Sequence, residues 1–317
     1  MMYRQITFAE RYALGVLRQR GLAPAAIARV LGRHRSTIGR EVHRNGAHSD
    51  GTYRPQLADW YARGRRSRSR RNQRFTTAEW ERIRALLRED WSPEQVAGRL
   101  RRDQELRISH ETIYRYIWAD KRHGGTLFVH LRGARKRCRK RYGRYDSRGR
   151  LAGKRAITTR PRAAEARTVV GHWEGDTMLG DRQAGPCVLS LVERKTGYLA
   201  LGQLRRRTSA QVNRRARRLI RRQPHPVQTI TVDNGTEFHE YAALERTTAA
   251  QFYFATPHHA WERGTNENTN GLIRQYLPKG QSMAHLTQQD CNRIAKKLNQ
   301  RPRKRLGYQT PEECYVR

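Results

Sequence analysis

A short pattern occurs twice in the first half of the chain. Pro24, Ile27, Ala28 and Leu31 are spaced as Pro93, Val96, Ala97 and Leu100 are, and each set is followed by a Thr-Ile pair, Thr37-Ile38 and Thr112-Ile113. Apolar residues three and four apart mark one face of a helix. The chain is therefore expected to form a short helix, a turn and a second helix, twice over. In the first copy Gly32 supplies the turn, and Ser36, Thr37, Arg40 and Arg44 populate the exposed face of the second helix. In the second copy Ser92-Pro93-Glu94-Gln95 reads as an N-cap, a proline at the first helical position and a glutamine placed to bond back to the cap. Ser109 caps the helix that follows, whose apolar stripe is Ile113, Tyr116 and Ile117.

Charge says what such helices would meet. The 317 residues carry 66 Lys and Arg against 28 Asp and Glu, a formal net charge of +38. Residues 1–170 hold 42 of the bases and 15 of the acids. Much of that excess lies in two runs without an acid, Arg63 to Arg74 and Arg132 to Arg144. A surface of this kind needs a polyanion. There is no apolar run of membrane-spanning length, no signal peptide and no lipidation motif, so double-stranded DNA is the expected partner and membrane is not. The cysteines at 138, 187, 291 and 314 form no Cys-x-x-Cys pair, which argues against zinc fingers and fits a cytoplasmic, reducing compartment. Arg35, Ser36, Thr37, Arg40 and Arg44 are the expected DNA contacts of the first unit, and His110, Thr112 and Arg115 those of the second. Arg135, Lys136 and Arg137 are expected to track phosphates.

From about Gly171 the texture changes to strand and turn. A strand near Asp176, an apolar run from Cys187 to Glu193 and a return from Tyr198 to Leu204 predict a three-stranded meander. Residues 208–222 read as a helix rich in arginine, 227–232 as a strand ending at Asp233-Asn234-Gly235, 236–246 as a helix, 251–255 as a strand and 264–277 as a helix. The expected order is β-β-β-α-β-α-β-α.

Three acids fall where this order brings strand ends and a helix start together: Asp176, Asp233 and Glu267. Carboxylates without softer ligands suit a hard divalent ion, Mg²⁺ first with Mn²⁺ as substitute. Acids gathered in so cationic a chain repel one another unless a cation neutralises them, which points to a site. A carboxylate-bridged pair of metal ions can activate the attacking oxygen and stabilise the leaving oxygen of a phosphodiester. Asp176 is expected to bridge, with Asp233 on one metal and Glu267 on the other.

These strings resemble the DDE transposases of the bacterial insertion sequence thirty family. The resemblance rests on His172-Trp173-Glu174-Gly175-Asp176, Leu191-Val192-Glu193-Arg194-Lys195-Thr196, Thr231-Val232-Asp233-Asn234-Gly235-Thr236-Glu237-Phe238, Trp261 to Leu272 and Leu298 to Gly307, with 33 residues between Asp233 and Glu267. It implies a multidomain chain: all-α N-terminal helix-turn-helix units, then an α/β RNase H-like catalytic core with a mixed five-stranded sheet and flanking helices. The expected divisions are a helix-turn-helix domain at 1–62, a basic linker at 63–76, a second helix-turn-helix domain at 77–130, a basic linker at 131–165 and an integrase-type catalytic domain with a C-terminal helix at 166–317. It further implies binding of terminal inverted repeats, metal-dependent strand cleavage and strand transfer, a homodimer or higher assembly around paired ends, and a location beside the nucleoid. Arg263, Asn266 and Asn270 are expected to touch DNA or to hold the start of the Glu267 helix, and Asn234 to orient Asp233. Two departures stand out: His34 where the family offers a serine cap, and Ala255-Thr256-Pro257 where an acid or Asn is expected before proline. A reading from another class is a DNA-binding transcriptional regulator with a decayed nuclease core.

Overall fold

The computed structural model describes residues 5–46, 52–68, 74–132, 153–181, 185–256 and 259–316. Arg135, Lys136 and Arg137, expected on DNA, lie outside the described residues, as do Pro257 and His258. The chain divides into two compact units, Met1–Trp80 and Glu81–Arg317.

In the first unit four helices, α1 (Phe8–Gln19), α2 (Pro24–Val30), α3 (Arg35–Asn45) and α4 (Pro55–Arg68), enclose Ile6, Leu14, Ile27, Ala28, Ile38, Tyr53 and Ala58. Thr7 and Glu10 close α1 with a capping box, and Gly32 turns α2 into α3 at φ +59°, in the left-handed region that glycine enters without a steric cost. His34 caps α3 after all: its Nδ1 accepts from the Ser36 N–H at 3.3 Å, the bond a serine cap would make. The buried Arg11 joins the helices. Its guanidinium donates to Glu41 at 2.7 Å, to Asp59 at 3.0 Å and to the Ile6 carbonyl at 3.0 Å.

The second unit contains the other helix-turn-helix copy, most of α5 (Thr77–Arg88), then α6 (Pro93–Arg102) and α7 (His110–Arg122). The capping box read at Ser92 and Gln95 forms, and Ser109 caps α7. Sequence set residues 77–130 apart from the core; in the structure α6 and α7 share one compact unit with the sheet because polar side chains on α6 reach the end of the chain. Arg99 grips Glu313 with two bonds of 2.8 Å, Gln95 donates to the Pro302 carbonyl at 2.8 Å and Lys304 donates to Glu94 at 2.7 Å.

After α8 (Arg162–Ala166) comes the sheet: β1 (His172–Leu179), β2 (Cys187–Glu193), β3 (Leu199–Leu204), β4 (Thr229–Val232) and β5 (Gln251–Phe254), in the order β3-β2-β1-β4-β5. The first three form the expected antiparallel meander, and β1, β4 and β5 run parallel. Alternation along β2 divides the core. Cys187, Leu189 and Leu191 pack with α9 (Ser209–Ile220), α10 (Tyr241–Thr248) and Tyr315 of α13 (Pro311–Tyr315). Val188 and Val192 pack on the other face with α11 (Gly264–Ile273) and α12 (Gln288–Asn299). The helix expected over 236–246 is instead a single 3-10 turn, Thr236–Phe238, followed by α10. The helix expected over 264–277 ends at Ile273. This is the mixed five-stranded α/β core that the sequence led one to expect.

Candidate active site

Parallel pairing of β1 with β4 runs only from His172↔Thr229 to Glu174↔Thr231. Two residues beyond the last pair stand Asp176, still within β1, and Asp233, just past the end of β4, both within reach of Arg263. Alternation turns Glu174, Asp176 and Met178 to the face that carries α11. Asp176 lies in the middle of β1 rather than at its start, opposite Ser190 of β2.

Each aspartate is oriented by backbone. Asp176 Oδ1 accepts from the Thr177 N–H at 2.9 Å, and Oδ2 accepts from the Asn270 amide at 2.8 Å. Asp233 Oδ1 accepts from the Gly235 N–H at 3.0 Å. Asn234, expected to orient Asp233, instead donates to the Ala255 carbonyl at 2.9 Å, tying β4 to the segment after β5. Arg263 stands between the two acids, Nη1 3.7 Å from Asp176 Oδ1 and Nη2 3.5 Å from Asp233 Oδ2, and donates to the Gly175 carbonyl at 3.1 Å. Burial raises the Asp176 pKa above the ordinary carboxylate value; Arg263 opposes the shift and Asp233 adds to it. The guanidinium is thus a counter-charge for two adjacent carboxylates.

Glu267 is different. It is the fourth residue of α11 and exposed, one turn before the Asn270 that holds Asp176. Among the described residues, no group of three His, Cys, Asp or Glu stands close enough to hold a metal ion. The donors that do face each other are hard carboxylate oxygens already gathered around a cation, which suits a divalent ion of the Mg²⁺ type.

What sets α11 in place was not singled out from sequence. Glu174, fully buried, accepts from the Asn266 N–H at 2.7 Å, satisfying a free donor at the helix N-terminus. Arg194 holds the other oxygen of Glu174 at 2.7 Å and donates to the Ala164 carbonyl at 2.8 Å. Ser190 Oγ lies 3.2 Å from Asn266 Oδ1 and 3.1 Å from Asn270 Oδ1. Of the three residues expected on DNA or at the start of the Glu267 helix, Asn266 is buried at that start, and Asn270 and Arg263 are turned to the acids. A fourth acid, Glu237, is buried beside the site. It accepts from the Thr177 hydroxyl at 2.6 Å and from Arg207 Nε at 2.8 Å, and both it and Asp233 crowd the space that a Cβ at Gly235 would fill. Both residues sit inside the quoted motifs, Glu174 beside Asp176 and Glu237 beside Asp233. Their pairing across elements leaves no local signal.

The expected DNA contacts on the helix-turn-helix units lie on open faces. Arg35, Ser36, Arg40 and Arg44 are exposed and Thr37 half-buried on α3, with Arg40 folded back onto the Ser36 carbonyl at 3.1 Å. On α7, His110 and Arg115 are exposed and Thr112 half-buried, its hydroxyl 2.9 Å from that of Ser109.

Residues 2–45 match a family model described as a helix-turn-helix domain, and residues 37–117 one described as a homeodomain-like domain. The chain is 40% identical over 314 residues to the transposase for insertion sequence element IS4351 of Bacteroides fragilis, covering 99% of this chain and 96% of that one. It is 36% identical to the transposase for IS1086 of Cupriavidus metallidurans (98% and 93% covered). It is 34% identical to transposase InsI for IS30A of Escherichia coli K12 (98% and 83% covered). A solved structure, the catalytic core domain of BIV integrase, aligns with 46% of this chain and 93% of that chain at 20% identity and a TM-score of 0.37. Identity of this level along almost the whole length, with two helix-turn-helix units ahead of a mixed α/β core, means that the chain belongs to the insertion sequence thirty family of transposases.

Proposed function

We propose that the chain binds the terminal inverted repeats of an insertion sequence, cuts DNA there and joins the freed end to a new strand, with Asp176, Asp233 and Glu267 as the acidic residues of that chemistry. The observation that carries this reading is that Arg263 reaches both Asp176 and Asp233 just beyond the paired stretch of β1 and β4, with α11 tethered to Asp176 through Asn270. Asn270 and the Thr177 N–H fix the Asp176 carboxylate, and the Gly235 N–H fixes Asp233 so that its Oδ2 faces the site. Glu267 supplies the third carboxylate from the first turn of a helix that Glu174 and Arg194 anchor. Mg²⁺, or Mn²⁺ in its place, is the ion these oxygens suit, and bound there it would stabilise charge on the attacking and leaving oxygens. Water attacks first and frees a 3′ hydroxyl; that hydroxyl then attacks a second phosphodiester. α3 and α7 present the side chains that find the repeats, and two copies of the chain hold two ends beside the nucleoid in the cytoplasm. The reading as a decayed regulator is not favoured, since all three acids are present and the full-length relatives are transposases.

A labelled repeat-end duplex incubated with the protein and Mg²⁺ tests it. Cleaved and joined products are expected, and Asp233→Asn should reduce both to background while leaving repeat binding roughly intact. Joining that survives in the variant removes Asp233 from the chemistry.

A further inference from the structure

The second unit carries a cleft of about 340 Å³ that lies apart from the paired aspartates. Arg132, Arg301, Arg303, Lys304 and Arg305 line it, together with Asn268 of α11. Among the described residues, Lys304 alone of these five cations has a carboxylate partner, Glu94. Arg301, Arg303 and Arg305 are held by neutral oxygens, with no carboxylate among the described residues at ion-pair distance. Arg301, 2% exposed, donates to Gln275 Oε1 at 2.8 Å and to the Tyr276 hydroxyl at 2.7 Å, and its buried Nε has no partner. Arg303 donates to the Leu298 carbonyl at 3.0 Å and Arg305 to the Lys195 carbonyl at 2.7 Å. Burial, with the repulsion of Arg301, Arg305 and Arg132, pulls Arg303 below the ordinary guanidinium value. Asp90 also lines the cleft, but its carboxylate is taken up by the Tyr276 hydroxyl at 2.9 Å and His130 at 3.0 Å.

Guanidiniums gathered in a partly dry cleft repel one another unless an anion joins them. Their planar forks match the oxygens of phosphate. We propose that this cleft grips a backbone phosphodiester of the bound DNA. The position of the cleft suits that role: Asn268 follows Glu267 directly, so α11 links the cleft to the proposed catalytic acids. The assignment rests on the reading of the chain as an enzyme that acts on DNA, and its test is read without cleavage so that the two can fail separately.

The test uses the full chain and a random-sequence duplex without divalent ions, with affinity measured across a salt series. Arg303→Gln and, separately, Arg132→Gln should each flatten the slope of log affinity against log salt by about 0.9, one phosphate contact. Arg132 is exposed, so its variant folds even if Arg303→Gln does not. Arg88→Gln, an exposed arginine of α5 outside the cleft, should keep the parent slope. An unchanged slope in the cleft variants, or an equal loss in Arg88→Gln, overturns the proposal. A second arm adds inorganic phosphate and follows the melting temperature. If the cleft variants lose stabilisation by phosphate yet keep the parent slope on DNA, the cleft takes the free anion and the phosphodiester assignment falls.

Discussion

The two helix-turn-helix copies share a sequence pattern and a fold, yet they direct their charges differently. In the first, acids are turned inward: Glu41 and Asp59 hold the buried Arg11, and Glu10 holds Arg33 at 2.9 Å. In the second, charged residues of α6 reach elsewhere in the compact unit, Arg99 to Glu313 and Glu94 to Lys304, and Asp90 before it takes the Tyr276 hydroxyl. The first copy is built to stand as a unit of its own; the second is fastened to the catalytic core. A repeat in sequence fixes the local elements, whereas the partners of their polar faces decide whether a copy is a separate module or part of a larger one.

The largest test of this contrast is a cavity in the first unit. Leu14, fully buried in α1, should cost about 2–5 kcal/mol when changed to Ala. That approaches the whole stability of so small a unit, at about 0.05–0.15 kcal/mol per residue. Hydrogen exchange in the full chain should rise across α1 to α3 while α6 and α7 keep their protection. If α6 and α7 lose protection to the same extent, the two copies unfold together and the contrast is wrong.

A smaller effect is expected where the second copy meets the chain end. A Cβ at Gly98 of α6 would collide with the ring of Tyr308. Gly98→Ala should cost about 1–3 kcal/mol through overpacking, partly offset by the better helix propensity of alanine. Exchange should rise in α6 and the segment around Tyr308, with α1 to α4 unaffected. Protection confined to its parent values in the Tyr308 segment would show that the fastening does not depend on this contact.

That fastening marks the limit of what was legible in the sequence. Helix starts were readable because capping is local: Ser92 and Gln95 lie three residues apart, and so do Ser109 and Thr112. The meander was readable from alternation, and so was the place of Asp233 just after a strand, whereas Asp176 was expected near the start of β1 and lies in its middle. The anchoring of α11 was not. Glu174 and Arg194 are twenty positions apart and meet only because β1 and β2 pair, and Glu174 reaches Asn266 across ninety-two positions. Buried charges of this kind look like any other acid or arginine until the sheet brings them together. Asn266 was expected either on DNA or at the start of the Glu267 helix; it is buried at that start, its N–H on Glu174 and its side-chain oxygen near Ser190.

The smallest effect is a pH dependence confined to the second unit. Hydrogen bonding to Arg99 outweighs burial and, with the Thr310 N–H, brings Glu313 down to about 2 from its ordinary 4.5. A carboxylate depressed on folding stabilises the native state above its unfolded pKa, and that contribution is lost as pH falls from about 4.5 toward 2. Glu313 is partly exposed, so solvent screening keeps the gain to about 1 kcal/mol or less. Glu313→Gln should therefore lower the stability of the second unit slightly at pH 5, and the variant and parent should converge as pH approaches 2. Glu10 in the first unit is also held below its ordinary value, by the Thr7 N–H and Arg33 against the upward pull of burial, so acid weakens that unit in both proteins alike. Unfolding of parent and variant followed at pH 5, 4 and 3 checks the sign. A difference that persists undiminished toward pH 2 would mean that the Gln side chain disturbs packing on its own, and that the Arg99–Glu313 charge pair is not what fastens the second copy to the core.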